Sequence, residues 1–573
     1  MVMTVQDLWA QGSFGNIPKS VNYRDARIVD VGTMATDVYA WECVDSITNK
    51  VDTVLTTDQY MLWQSDGDID KQAEAHRSKA EWGTPEVLST HRRVGSFVKD
   101  ILANYEYMVF RYIYPSVDAD GNMIMLSSMA ACPTGEDTNE TRDVVIGTHI
   151  TITSDAECPS NTNKGFAEAD WGILMSLAGG TKIATGSIAD FLHGPIITWI
   201  NQELDNLYNL ALMPSNNYNL VIMPDYQGYG ITKDMAHPYL YQELTARQVV
   251  DATRYGIALY KNADMTKDFR HPLRQNFRTI ACGYSQGGSV AMATHRFIEQ
   301  NGLSEELHFV GSICGDGPYD PISTLMYYVG RDLEDKKMSM AVVMPLIIKG
   351  MIDSNPYMRS HKYEDYFKDE FLATGIIDWL DAKVMTTDDI EKKWAKMSRD
   401  GETTVFDSDG KAMMRDIMKP ECYNYFVSLY NQYKDVYTTE GVPLPSHRGL
   451  VEDLHFALAS NDITTGWVPN HKIMLFHSTS DTVVPFDNLE KAVNSINQEA
   501  GSNSGYPSWG YHWISTHVST LGHDHVDSGV DFFKSDDNWD LMGNLNLRIF
   551  IAKDKLCSLD WQSQFIYDMP DTW

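Results

Sequence analysis

The segment Gly283-Tyr284-Ser285-Gln286-Gly287-Gly288 follows the apolar run FRTIAC and precedes SVAMATHRFIEQ, which has helical character. A strand that reverses into a helix within two residues forces its middle residue to positive φ and presses the chain against itself. A Cβ at Gly283 or Gly287 would collide there, so glycine is required at both places. Ser285 is left with its hydroxyl raised above the strand end, at the N-terminus of a helix. A G-x-S-x-G match in this strand-to-helix context is a nucleophile elbow, built from Gly283, Tyr284, Ser285 and Gly287, and it presupposes an α/β sheet.

The rest of the chain agrees with that architecture. Strand-like apolar runs occur at Val144–Thr153, Leu220–Pro224, Phe277–Gly283, Leu307–Cys314, Ile473–His477 and Trp513–Ser519. Thr245–Asn262 carries Val249, Ala252, Gly256 and Leu259 at the spacing of one helix face. Short apolar strands alternating with helices predict a mostly parallel sheet covered by helices on both faces. Met108–Ala131 reads as a hairpin around Asp118, Asp120 and Asn122; Met129 stands where a calcium loop needs its glutamate, so a plain turn is expected. The predicted divisions are an N-terminal extension (1–100) with no placeable counterpart, a first core part (101–320) with an insertion near 161–219, a helical cap (321–470), and a second core part with a C-terminal extension (471–573).

A serine needs a base, and the base needs an orienting carboxylate. In the order such sheets use, the acid stands at a later strand end and the histidine comes last. IMLFHSTSDTVVPFDN places Asp481 just past a buried strand, with Asp487 as the weaker alternative. After the last strand, the sequence THVSTLGHDHVDSGVDFF offers His525 at a strand-to-helix corner, with His523 as the alternative base and His517 inside the strand. The expected oxyanion donors are the backbone N–H of Gln286 and one near Ile150 or Thr151, at the end of VVIGTHITIT.

Composition narrows the partners. The formal net charge of −32 repels nucleic-acid phosphates and anionic lipid headgroups, which argues against both as partners. The apolar stretch Met338–Ile348 is too short to span a bilayer and contains Pro345. The N-terminal MVMTVQDLWAQGSFGN has neither a basic n-region nor an apolar h-region. The 7 cysteines contain no C-x-x-C pair, which argues against a structural zinc site and a dense disulfide scaffold.

Taken in order, PDYQGYG, HPYL, TARQVVDATRYG, GYSQGG, HSTSDTVVP and DHVDSGVDFF resemble the α/β-hydrolase superfamily, and within it the secretory-lipase-type esterases and related bacterial hydrolases. The resemblance spans 144–319 and 471–533. It implies a Ser–Asp–His triad on Ser285, Asp481 and His525, a cap matching 321–470, no metal and no organic cofactor. It also implies export to the periplasm or medium, for which the chain shows no signal sequence. The expected activity is hydrolysis of a small-molecule carboxylic ester through an acyl-enzyme. A serine peptidase on the same fold is the alternative, and a catalytically silent binding module is a third reading. Met338, Met340, Met344, Met351, Tyr327, Tyr328, Phe367 and Phe371 suit an apolar or aromatic acyl group, but at helical spacing they are expected first to pack the cap's own core. Oligomeric state is not readable from the sequence.

Overall fold

The computed structural model describes residues 17–44, 51–68, 70–72, 74–75, 90–95, 107–133, 143–161, 219–262, 272–502 and 514–533. The expected insertion near 161–219 and the C-terminal extension lie almost wholly outside the described residues, as does most of the N-terminal stretch beyond its strands.

The strands are β1 (Arg27–Val44), β2 (Val51–Trp63), β3 (Thr90–Gly95), β4 (Tyr107–Val117), β5 (Met123–Pro133), β6 (Asp143–Thr148), β7 (Asn219–Pro224), β8 (Thr279–Tyr284), β9 (Phe309–Gly315), β10 (Lys472–Ser478) and β11 (Ile514–Ser519). They form one 11-stranded sheet in the order β11-β10-β9-β8-β6-β7-β5-β4-β1-β2, with β3 also on β1. From β7 to β11 all neighbours are parallel. The wing β5-β4-β1 with β2 and β3 is antiparallel. Every residue of β6, β8 and β9 is buried. Successive strand side chains point to opposite faces, so both faces of the parallel half are covered.

Helix α1 (Gln242–Asn262) and helix α2 (Gln286–Gln300) pack beside each other against the sheet. Tyr112 of β4 donates its hydroxyl to the Ala252 carbonyl of α1 at 2.8 Å. Gly256 lies so close to that tyrosine that an added Cβ would fall 2.6 Å from its hydroxyl. The β4–β5 turn is the plain one expected: Asp118 Oδ1 accepts the N–H groups of Asp120 and Asn122, both at 2.9 Å.

Between β9 and β10 the chain is helical, with α3 (Pro321–Leu333), α4 (Val343–Ser354), α5 (Thr387–Arg399), α6 (Pro420–Tyr433) and α7 (Leu450–Ala459) as its longer elements. These helices enclose a second hydrophobic core in which Met338, Met344, Met351, Tyr328, Phe367 and Phe371 are buried, with Tyr327 and Met340 packed against it. Helix α8 (Asp487–Ser502) follows β10, and α9 (His525–Phe533) follows β11.

One expectation is corrected. The strand read as Val144–Thr153 stops at Thr148, and His149–Thr153 continue as a loop. Where it is described, the N-terminal stretch adds strands to the sheet, because β1 pairs with β4 and carries β2 and β3.

Candidate active site

Strand order reverses between β6 and β8: the chain crosses from β6 to β7 on one side and builds β8 to β11 on the other. Such a switch point opens a crevice at the carboxyl ends of the strands. Ser285 ends β8 there, at φ 58 and ψ −126, as the residue preceding α2. A Cβ on Gly283 would lie 2.1 Å from Thr148 Oγ1 and one on Gly287 2.1 Å from the Thr148 carbonyl oxygen. Both glycines are therefore imposed by the loop after β6, which crosses the elbow at van der Waals contact. The Ser285 N–H donates to the Gly315 carbonyl at 2.9 Å and ties the elbow to β9.

The structure brings Ser285, His525 and Asp481 together. His525 Nε2 is 2.8 Å from Ser285 Oγ, and His525 Nδ1 is 2.5 Å from Asp481 Oδ2. A carboxylate can only accept, so Nδ1 carries the proton and Nε2 is left to accept from the serine hydroxyl. The other Asp481 oxygen accepts the N–H groups of Val483 and Val484 at 2.8 and 2.9 Å. This aspartate is thus a turn residue and a histidine partner at once.

All three side chains are secluded, with residue exposures of 8% for Ser285, 6% for His525 and 3% for Asp481. Burial alone would lower the His525 pKa, but the Asp481 carboxylate, aided by Asp316 and Asp524, outweighs it and raises the pKa above 6.5. Burial would likewise raise Asp481, and His525 outweighs it and holds that carboxyl below its usual range.

The alternatives do not join this relay. Asp487 opens α8 and bonds the Tyr437 hydroxyl. His523 offers its carbonyl to Ser478 Oγ at 2.7 Å, and His517 lies in β11 stacked near Phe476. Gln286 is the first residue of α2, where helical N–H groups have no carbonyl of their own turn to bond and the helix dipole favours negative charge. Ile150 and Thr151 lie half-buried in the loop crossing the elbow. Thr151 Oγ1 is 2.9 Å from the Tyr239 hydroxyl.

A histidine that residue pattern did not single out, and the glycine turn of PDYQGYG, also contribute. His237, from the HPYL motif, directs Nδ1 at the Gln227 carbonyl at 2.8 Å, so its Nε2 accepts from the Gln286 side-chain amide at 3.3 Å. Burial pushes its pKa down to about 3, which keeps the ring neutral for that task. Asp225 binds Ser127 Oγ and Ser160 Oγ, both at 2.5 Å, and Gly230 at φ 58 has no room for a Cβ beside them. The glycine-rich turn therefore fastens the loop after β7 to β5 and to the loop after β6.

Among the described residues, two groups have metal-ligand character: His295, Glu299 and His471, and Asp316, Asp481 and His525. Glu299 Oε1 already accepts from His295 Nε2 at 3.0 Å, His471 Nδ1 at 2.7 Å and two backbone N–H groups at 2.8 Å. The second group is built around the histidine–aspartate pair just described.

A parallel sheet with a switch point, a strained serine between β8 and α2, and an acid and a histidine following β10 and β11 fix the architecture. The fold is that of the α/β-hydrolases. Comparison with solved α/β-hydrolase structures finds the rice cell wall degrading esterase LipA from Xanthomonas oryzae, at 18% identity and a TM-score of 0.49, covering 79% of this chain and 92% of that one. Candida antarctica lipase A is similar at 12% identity and a TM-score of 0.40, covering 73% of each chain. Its closed state is similar at 11% identity and a TM-score of 0.42, covering 83% of this chain and 81% of that one. No family model and no curated protein sequence matches the chain. No described helix is long and apolar enough to cross a membrane.

Proposed function

We propose that the chain is a serine carboxylic-ester hydrolase with Ser285 as nucleophile, His525 as general base and acid, and Asp481 as the group that orients the imidazole. The observation that supports this reading is the continuous line from Ser285 Oγ to His525 Nε2 at 2.8 Å and from Nδ1 to Asp481 Oδ2 at 2.5 Å.

In this reading the Ser285 oxygen attacks the ester carbonyl carbon while its proton passes to Nε2. The resulting imidazolium is stabilised by the Asp481 carboxylate. The negative charge on the former carbonyl oxygen falls to the Gln286 N–H and to a backbone N–H of Ile150 or Thr151. Collapse breaks the bond to the alcohol, which leaves with the proton from Nε2. Water then gives its proton to Nε2, attacks the acyl group and releases the acid, returning the serine its proton. The helical segment 321–470 acts as a cap over this centre. Lys383, between two of its helices, donates to the Lys233 and Met235 carbonyls at 2.6 and 2.5 Å. Thr153 in turn bonds the Met385 carbonyl at 2.7 Å, so the cap grips the loops beside the serine.

The test is hydrolysis of p-nitrophenyl esters from acetate to palmitate, with short peptide substrates alongside and Ser285→Ala as control. The expected result is ester turnover that falls by several orders of magnitude, up to about 10⁶, in the variant. Peptide cleavage without ester cleavage would replace this reading with the peptidase, and near-normal activity of Ser285→Ala would remove Ser285 from the mechanism.

A further inference from the structure

Asp316 directly follows β9, with φ 35 and its N–H on the Phe476 carbonyl of β10 at 3.0 Å. Its side chain is wholly buried and makes three hydrogen-bond contacts. Oδ2 lies 2.7 Å from the Tyr284 hydroxyl and 2.7 Å from Ser528 Oγ, while Oδ1 accepts the Ser478 N–H at 3.1 Å. Each partner belongs to a different arm of the triad. Tyr284 adjoins Ser285, Ser478 leads into the turn of Asp481, and Ser528 sits one helical turn after His525. One carboxyl therefore spans the three segments whose side chains must meet.

The hydrogens can be counted. Tyr284 Oη lies 2.7 Å from Asp316 Oδ2 and 2.6 Å from the His525 carbonyl oxygen. A phenol has one hydrogen, and a carbonyl can only accept it. The phenol oxygen is thus shared between Asp316 and the His525 backbone, with one hydrogen serving both.

We propose that Asp316 is a positioning residue for the triad, holding Tyr284, Ser478 and Ser528 and, through the Tyr284 hydroxyl, the His525 backbone. The proposal rests on the ester-hydrolase reading. Burial and the neighbouring Asp481 carboxylate push the Asp316 pKa up to about 6, against the pull of His477, His525 and the Tyr284 hydrogen bond. His477 Nδ1, at 3.9 Å from Oδ1, is too far for a hydrogen bond.

The experiment measures kcat and KM on a p-nitrophenyl ester, melting temperature, and fluorophosphonate labelling of Ser285 in the wild type, Asp316→Ala and Asp316→Asn. Asp316→Ala is expected to lower kcat by about 30- to 100-fold, the scale of an ångström of misplacement, with KM little changed. Asp316→Asn puts amide hydrogens toward Tyr284 and Ser528 and an oxygen toward the Ser478 N–H, and is expected to restore most of the lost kcat. If Asp316→Ala does not fold, Ser528→Ala cuts one arm alone and is expected to lower kcat with KM held. A folded Asp316→Ala with wild-type kcat, an Asn variant as impaired as the Ala variant, or an unimpaired Ser528→Ala overturns the proposal while leaving the esterase standing. A wild type that neither cleaves esters nor takes the label overturns the esterase reading and this proposal with it.

Discussion

His525 Nδ1 and Asp481 Oδ2 face each other at 2.5 Å, and the second Asp481 oxygen is held by two backbone N–H groups of the same turn. The carboxylate is thereby fixed before any substrate arrives, and its charge raises the imidazole pKa.

That relationship sets the pH profile. His525 accepts a proton only while neutral, so kcat/KM should fall as pH drops through its folded pKa, which lies above 6.5. Asp481→Asn removes the chief cause of the elevation. The acid limb should move to lower pH, and kcat should drop by roughly 10⁴ because the imidazole loses its tautomer lock. A pH–rate profile checks both, and an acid limb that stays in place would contradict the pairing.

Gly287→Ala tests the close approach of the loop after β6. The new methyl would sit 2.1 Å from the Thr148 carbonyl oxygen, so the backbone must give way. The expected outcome is a stability cost of about 1–3 kcal/mol together with a kcat loss on the order of 10²-fold. Denaturant titration and steady-state kinetics measure the two, and wild-type values in both would show that the elbow tolerates a side chain.

A second ionic centre, built at the far end of α2 from the serine, predicts how stability responds to acid. His295 and His471 draw the Glu299 carboxyl down, against burial, from 4.5 to about 2. A depressed carboxyl stabilises the folded state above its unfolded pKa, and that contribution is lost as pH falls through the folded one. Glu299→Gln should therefore unfold more easily than wild type near neutral pH, with a gap that narrows below pH 4.5. Denaturant midpoints at several pH values report it, and a constant gap would mean that the carboxylate's charge is not what holds Trp467, His471 and α2 together.

Much of the parallel half was legible because its signals are local. Apolar runs ending in short polar turns marked β8, β10 and β11, and the elbow glycines, Asp481 and His525 each stood at such an ending. The loop His149–Thr153 was misread because H-I-T-I-T alternates like a strand, while its actual partners are the elbow and a threonine–methionine contact from the distant helical segment. β1 to β3 were not read because the pairing of β1 with β4, which brings β2 and β3 onto the sheet, joins residues far apart in sequence, and the Thr- and Asp-rich β2 lacks an apolar run. Asp316 obeys the same strand-end rule as Asp481. Nothing local distinguishes it, because its three partners come from segments that only the folded sheet makes neighbours.

Nucleophile and base are separated by 240 positions in the chain, with the whole helical segment between them. During synthesis at about 5–20 residues per second, the serine is made roughly 10–50 s before its histidine. In the proposed reading the nascent polypeptide holds an unactivated alcohol throughout that interval. β10 and β11 are also the last of the described strands to be made. On that reading chemical competence cannot precede the docking of β10 and β11, and turnover would serve as a direct clock for that step.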